Sequence, residues 1–318
     1  MTVNRFGAVS LALSLTLAVA PFARGSEIFG YDPARHDRFT GGFAAAPIVN
    51  TNLLGGLPGL DLSGVGWNPA NAMQNAALIT PQHIVLANHF RFGGPPASIT
   101  FLNRDGVLKT YAISSYLTTT YPGGSTSDLL VAQLSAPIAA ADNITVYPVV
   151  RPLPFGPTME TSNPQLLDFY RGKDIIVVGQ NQGPGGARIG KNTIDDLGTF
   201  NFGSGSPNTD TGGLIWQSVN QLDSVRLVGG DSGSPDFLYY NGQLSLIGAN
   251  AGIDTTVNPQ LNASSFIPFY VDQINALIAG TGFSINIIVV PIPEPGVLLL
   301  LSATAGFVVL RRRRARAA

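Results

Sequence analysis

Apolar positions along the 318-residue chain come in short runs rather than at helical spacing. The segments "ALITPQHIVLANH" (77–89), "ASITFLN" (97–103), "LKTYAIS" (108–114), "DLLVAQL" (128–134), "DIIVVGQ" (174–180) and "LSLIGAN" (244–250) are of strand length and bounded by Gly, Pro, Asn or Asp. The first reads as one strand ending on His89. Residues 237–240, then Asn241-Gly242, then 243–249 spell a hairpin, because Asn-Gly suits the positive φ angles of a type I′ turn. Helical spacing appears only near the end, where Val271, Ile274, Leu277 and Ile278 fall on one face and Gly280 stands at the expected C-terminal cap. There are no heptads and no internal repeat. The pattern predicts an all-β fold, barrels or a sandwich, closed by one helix. The Pro- and Gly-rich stretch "RPLPFGPTMETSNP" (151–164) divides it into lobes of about 45–150 and 165–280. The polar segment 203–213 reads as an exposed insertion.

Composition agrees with strands and turns: 37 Gly, 23 Pro and 12% charged residues against 45% hydrophobic. The length allows a sizeable core. A net charge of -1 argues against a nucleic-acid partner. The absence of cysteine excludes disulfides, thiolate catalysis and thiolate zinc sites, so stability rests on packing.

The two ends suggest an address. Arg5 precedes an apolar run over 9–20, followed by Pro21 and the small-x-small pattern Ala23-Arg24-Gly25. That is the form of a secretory signal peptide over 1–25, with Ser26 as the mature N-terminus. At the other end stand Pro293-Glu294-Pro295, an apolar run over 296–310 and an arginine cluster from Arg311 to Arg316. The run is shorter than the ~20 residues that span a bilayer comfortably, and the arginines favour the cytoplasmic face, leaving the bulk of the chain outside. A plain tail anchor is the simple reading. The tripartite order resembles the PEP-CTERM sorting signal of Gram-negative bacteria that make exopolysaccharide, over residues 290–318 alone. That resemblance implies transient insertion in the inner membrane and recognition by an exosortase-type sorting enzyme. The protein would then be exported, to the periplasm, the outer surface or the extracellular matrix.

The chain has three histidines, His36, His83 and His89. A serine nucleophile needs a base within hydrogen-bond reach and a third group that orients the base. His89 closes an apolar run, Asp128 opens another, and Ser232 lies in the turn "GGDSGSP" (229–235), whose composition alone fits any surface turn. Asp105 and Asp142 compete with Asp128 for the carboxylate role. His83 reads as structural, and His36-Asp37 as a solvated loop.

Taken in order, Ala87-Asn88-His89, the run from Asp128 to Leu134, Val177-Val178-Gly179 and the turn from Gly230 to Pro235, followed by the hairpin and the helix, resemble the trypsin-like (chymotrypsin-fold) serine proteases. The likeness covers about residues 48–278. It implies two six-stranded antiparallel β-barrels with a C-terminal helix, the first carrying His89 and Asp128 and the second Ser232. It implies Ser232 as nucleophile, His89 as general base and then acid, Asp128 as the orienting carboxylate, and the Gly230 and Ser232 amides as the oxyanion hole. The implied partner is a protein or peptide substrate; neither cofactor nor metal is expected. Counting back without gaps puts Arg226 near the base of the primary specificity pocket, the alternative being a surface cation. The stretch "GANAGI" (248–253), with Ala251 and Gly252, would pair its backbone with an extended peptide.

Three departures stand out. Ser234 replaces the usual second glycine after the nucleophile, and Asn88 the usual alanine before the histidine. In trypsin the acidic residue before the nucleophile pairs with a new N-terminus made by proteolysis. Here Ile48-Val49-Asn50 follows Pro47, a poor cleavage site, so Asp231 is expected to have an internal partner and no zymogen step. A protease-fold protein that no longer cleaves and serves as a surface or matrix binding module is the rival reading. An esterase is weaker, since the Gly-x-Ser-x-Gly setting is missing.

Overall fold

The computed structural model describes residues 11–12, 26–40, 47–122, 124–153, 168–180, 187–201 and 211–291. The signal peptide, apart from a two-residue strand Leu11–Ala12, therefore lies outside the described residues. So do Pro293, Glu294 and Pro295 with the apolar tail, the linker from 154 onward and most of the polar insertion. Among the described residues no helix is long and apolar enough to cross a membrane.

The fold is all-β, and its described residues include one long helix late in the chain and a single helical turn at Pro33–His36. Six strands close a barrel in the order Thr126–Leu134, His83–Ala87, Asn71–Thr80, Val65–Asn68, Ala97–Leu102 and Leu108–Thr120. The run 77–89 is not the single strand its apolar content predicts. It folds as a hairpin that turns at Pro81 and Gln82, because proline has no N–H to give to a ladder. His89 falls just past the second arm, in the short 3₁₀ turn Asn88–Phe90.

These runs are continuously apolar because both of their faces are buried. Leu78, Ile84, Leu86, Leu130 and Ala132 point into the barrel with Ile99 and Phe101. Their alternates, Ala77, Ile79, Val85, Leu129 and Val131, pack outward against Ile176, Val178, Phe237 and Leu246 of the second lobe. An antiparallel sheet with one wet face would alternate instead.

The second lobe differs from a closed six-stranded barrel. It is an eight-stranded sheet in the order Leu11–Ala12, Asp196–Asn201, Thr211–Gln217, Leu261–Phe266, Gln243–Asp254, Pro235–Tyr240, Asp174–Gln180 and Ala187–Thr193. The strands Ala187–Thr193 and Asp196–Asn201 are far apart in that order, yet only residues 194 and 195 join them. Chain reach therefore rolls the sheet until these strands meet at a corner, without a ladder between them. Its interior holds Ile175, Val177, Trp216, Leu238, Ile247 and Phe266. The Asn241-Gly242 hairpin forms as expected, both residues having positive φ. Residues 211–213, expected in an exposed loop, belong to a strand.

The helix Ile267–Ile278 carries Pro268 in its first turn, where the missing N–H costs nothing. Its buried face is Ile267, Tyr270, Val271, Ile274 and Ile278. Leu277 is exposed, lying about 120° round the helix from Val271. Gly282, with φ 77°, rather than Gly280, ends the following turn. After the helix, Ile287–Pro291 returns to pair in parallel with Val149–Leu153, a strand that runs from the end of the first lobe into the described start of the linker.

Barrel packing is tight enough to test. A Cβ on Gly66 would lie 2.6 Å from Ile99 Cγ1 and 2.8 Å from Phe101 Cε1. Gly66→Ala is expected to lower stability by about 1–3 kcal/mol, read as a fall in the urea midpoint at unchanged slope.

Candidate active site

Strand register brings the acid and the base together. Leu129 pairs with Ala87, so Asp128, one residue earlier, leaves the ladder beside the Asn88–Phe90 turn. The Asp128 carboxylate is fully buried and accepts from the His89 amide at 3.0 Å and from the Asn88 amide. His89 Nδ1 lies 2.9 Å from both carboxylate oxygens, and its Nε2 lies 2.8 Å from Ser232 Oγ. A carboxylate can only accept, so Nδ1 carries the proton and Nε2 of the neutral ring accepts from the serine hydroxyl.

The environment tunes both groups. Burial pulls the His89 imidazole down, but the hydrogen bond and charge of Asp128 outweigh it and hold the pKa above its ordinary value. Burial raises Asp128, against the hydrogen bond and charge of His89 and the two amides. The His89 side chain is still 28% exposed, so the reacting edge faces solvent.

Ser232 comes from the other lobe, and its loop is seated on the barrel. Gly233 has φ 82°, and a Cβ there would lie 3.0 Å from Asn75 O and 3.1 Å from Ala87 N, so only glycine lets the loop approach so closely. Asn75 Nδ2 donates to Ser234 Oγ at 3.1 Å, giving Ser234 an interlobe contact. The Gly233 amide donates to Asn250 O and the Asn250 amide to Ser234 O, each at 2.8 Å. Gly230 has φ 102°. Among the described residues neither the Gly230 nor the Ser232 amide donates to a protein acceptor. The residues on either side of Asp231 thus keep their amides unspent next to the serine paired with His89.

Asp231 is buried and holds the turn: one carboxylate oxygen accepts from the Val228 amide at 2.7 Å, the other from Ser26 Oγ at 2.8 Å. Sequence reasoning expected an internal partner without naming Ser26. No local signal pointed to it, because 205 residues separate the two. Ile48 and Val49 are exposed and paired with Phe39–Thr40 in a small hairpin.

The remaining candidates fall elsewhere. Arg226 is half-exposed and turned to Gln260 Oε1 at 2.8 Å and Glu27 Oε2 at 3.3 Å. Ala251 and Gly252 continue the strand Gln243–Asp254 just past the residue that grips the nucleophile loop. Pro235 pairs with Ala249, the last strand pairing on that side among the described residues, so 251–254 present an open backbone edge. Asp142 pairs with Lys109 and Tyr111, and Asp105 with Asn143, which removes both from competition with Asp128. His83 is buried with Nδ1 2.7 Å from Thr80 Oγ1, and burial lowers its pKa to about 4.

His36 corrects the expectation of a solvated loop. It is fully buried, with Nε2 2.9 Å from Asp223 Oδ1. Arg35 grips the same carboxylate through two hydrogen bonds and, with His36, holds its pKa down at about 2 despite burial. Charge alone could not show that this segment folds back on the second lobe.

No protein-family model and no curated protein matches the chain. Among solved structures, an inactivated protease paralogue of the scabies mite shares 18% identity at a TM-score of 0.44, over 65% of this chain and 88% of that one. Human heparin binding protein shares 15% identity at a TM-score of 0.47, over 69% and 92%. The functional reading therefore rests on the site's own geometry.

A second acid lies behind the loop. Asp236 is fully buried opposite Val177 and Gly248, and burial, with the charge of Asp231 adding to it, raises its pKa to about 8 against the pull of Ser264. The folded state therefore keeps a proton that the unfolded chain releases near the ordinary value of 3.8. Its contribution to stability is full below that value and is lost as pH rises toward about 8. Asp236→Asn is expected to flatten this decline when urea midpoints are compared from acid to mildly alkaline pH. An equal decline in the variant would show that Asp236 ionises freely.

Proposed function

We propose that the chain is a trypsin-like serine endopeptidase that cleaves peptide bonds through an acyl-enzyme on Ser232. The observation that carries this is the unbroken line from Asp128 through His89 to Ser232 Oγ, with the Gly230 and Ser232 amides unspent beside it. His89 Nε2 takes the hydroxyl proton as Oγ bonds to the substrate carbonyl carbon. The carbonyl π electrons move to its oxygen, which the two amides receive. The imidazolium, held by Asp128, then protonates the leaving amine as the C–N bond breaks. Water repeats the sequence to free Ser232. The open backbone edge at Ala251 and Gly252 suits an extended peptide laid beside the loop. No acidic-side-chain preference is drawn from Arg226, whose guanidinium faces Glu27 and Gln260.

The address is part of the same proposal. Residues 1–25 export the chain, and 290–318 are a PEP-CTERM-type signal handled by an exosortase-type enzyme with transient anchoring in the membrane. The mature protein works at or beyond the cell surface.

The test is hydrolysis of a mixed peptide library by the full chain. Ser232→Ala and His89→Ala are each expected to lower kcat by about 10⁴-fold or more. A folded wild type that cleaves nothing would leave the non-cleaving surface binding protein as the better account. Cleavage also depends on neutral His89. Because Asp128 raises that pKa above 6.5, kcat/KM is expected to fall with decreasing pH along a limb centred above 6.5. Asp128→Asn should move the limb downward.

A further inference from the structure

The chain's N-terminal segment reaches the back of the nucleophile loop. Ser26 is 1% exposed, and its Oγ–H donates to Asp231 Oδ1 at 2.8 Å while Asp231 Oδ2 accepts from the Val228 amide at 2.7 Å. One carboxylate thus joins the start of the loop to a segment far away in sequence. Room for the hydroxyl exists because residue 179 is glycine: a Cβ there would sit 1.6 Å from Ser26 Oγ and 3.2 Å from Asp231 Oδ1.

The segment behind Ser26 is itself fixed. Arg188 Nη1 donates to the Ser26 carbonyl at 3.2 Å, and Glu27–Ile28 pairs with Val225–Arg226. Arg35 and His36 grip Asp223 further along. Ser26 therefore meets Asp231 from a rigid base rather than a fraying end. Asp231 stands between Gly230 and Ser232 in sequence, so its carboxylate anchors the stretch of backbone that carries both amides assigned to the oxyanion. The contact uses Oγ and not the main-chain nitrogen, so the group it needs is the same whether or not the bond before residue 26 is cut.

We propose that Ser26 is a positioning residue which, through its hydroxyl and Asp231, holds the nucleophile loop in its working shape before any cut at Gly25–Ser26. This rests on the peptidase reading. Export then changes the protein's location without switching on its chemistry.

Two measurements on the full chain test this. The first is amide hydrogen exchange over residues 228–234, which needs no activity. Ser26→Ala is expected to speed exchange there while leaving the barrel hairpin 77–87 unchanged. The second is labelling by a fluorophosphonate probe, in which Ser26→Ala is expected to lower the inactivation rate constant about ten- to a hundredfold, with KI within about twofold of wild type. Gly179→Ala, which expels the hydroxyl without removing it, should reproduce both effects and serves if Ser26→Ala does not fold. Combining the two should add no further loss.

Wild-type exchange over 228–234 in either variant would overturn the proposal, as would wild-type labelling rates. So would a chain that labels only after Ser26 has become its terminus, which would give the role to the amine. Absence of labelling in wild type would instead sink the peptidase reading, and the exchange measurement would still decide the role of Ser26.

Discussion

The site depends on the apolar layer that joins the lobes. His89 and Asp128 belong to the barrel and Ser232 to the second sheet, so their hydrogen bonds survive only if the lobes do not slide. Ile79, Val85, Leu129 and Val131 on the barrel's outer face meet Ile176, Val178, Phe237 and Leu246, with Tyr270, Val271 and Ile274 of the helix in the same layer. Burying one such side chain stabilises by about 1.5–3 kcal/mol, whereas a typical intramolecular hydrogen bond nets about 0.5–1.5 kcal/mol. The layer supplies most of the adhesion. Polar contacts then select one register within it: Gly233 against Ala87, and Asn75 to Ser234.

Within that frame, the chemistry comes from burying charge with chosen partners. Asp128 is out of water, and two amides and the His89 imidazole partly offset the burial that raises its pKa. Asp231 is likewise buried, and its hydrogen bonds run to the loop's own backbone and to Ser26. Asp236 lacks comparable support and retains its proton through neutral pH. Buried acids in or near one site thus differ in how their carboxyl groups are supported, because their neighbours differ.

Much of this was legible in the sequence. Apolar runs bounded by turn residues gave the strands, Asn241-Gly242 gave the hairpin, and the order His89, Asp128, Ser232 anticipated which side chains would meet. What escaped was set by contacts between distant segments. Pro81 splits a run whose hydrophobicity is continuous, since the apolar content reports burial and not chain direction. Leu277 looked like a core residue until the helix docked on its Val271 face. His36 looked solvated because its partner, Asp223, lies 187 residues away in sequence. Ser26 and Gly179 matter to the nucleophile loop for the same reason. The second lobe's departure from a closed barrel depends on whether Ala187–Thr193 and Asp196–Asn201 share a ladder, which neither strand's sequence states.

The central claim is that His89 activates Ser232 and no other hydroxyl. Mass-spectrometric mapping of the fluorophosphonate adduct on the folded full chain tests it most directly. The account predicts a single modified peptide with the added mass on Ser232, and no such adduct when residue 89 is alanine. An adduct on another serine, or one on Ser232 that forms equally well without the imidazole, would contradict it.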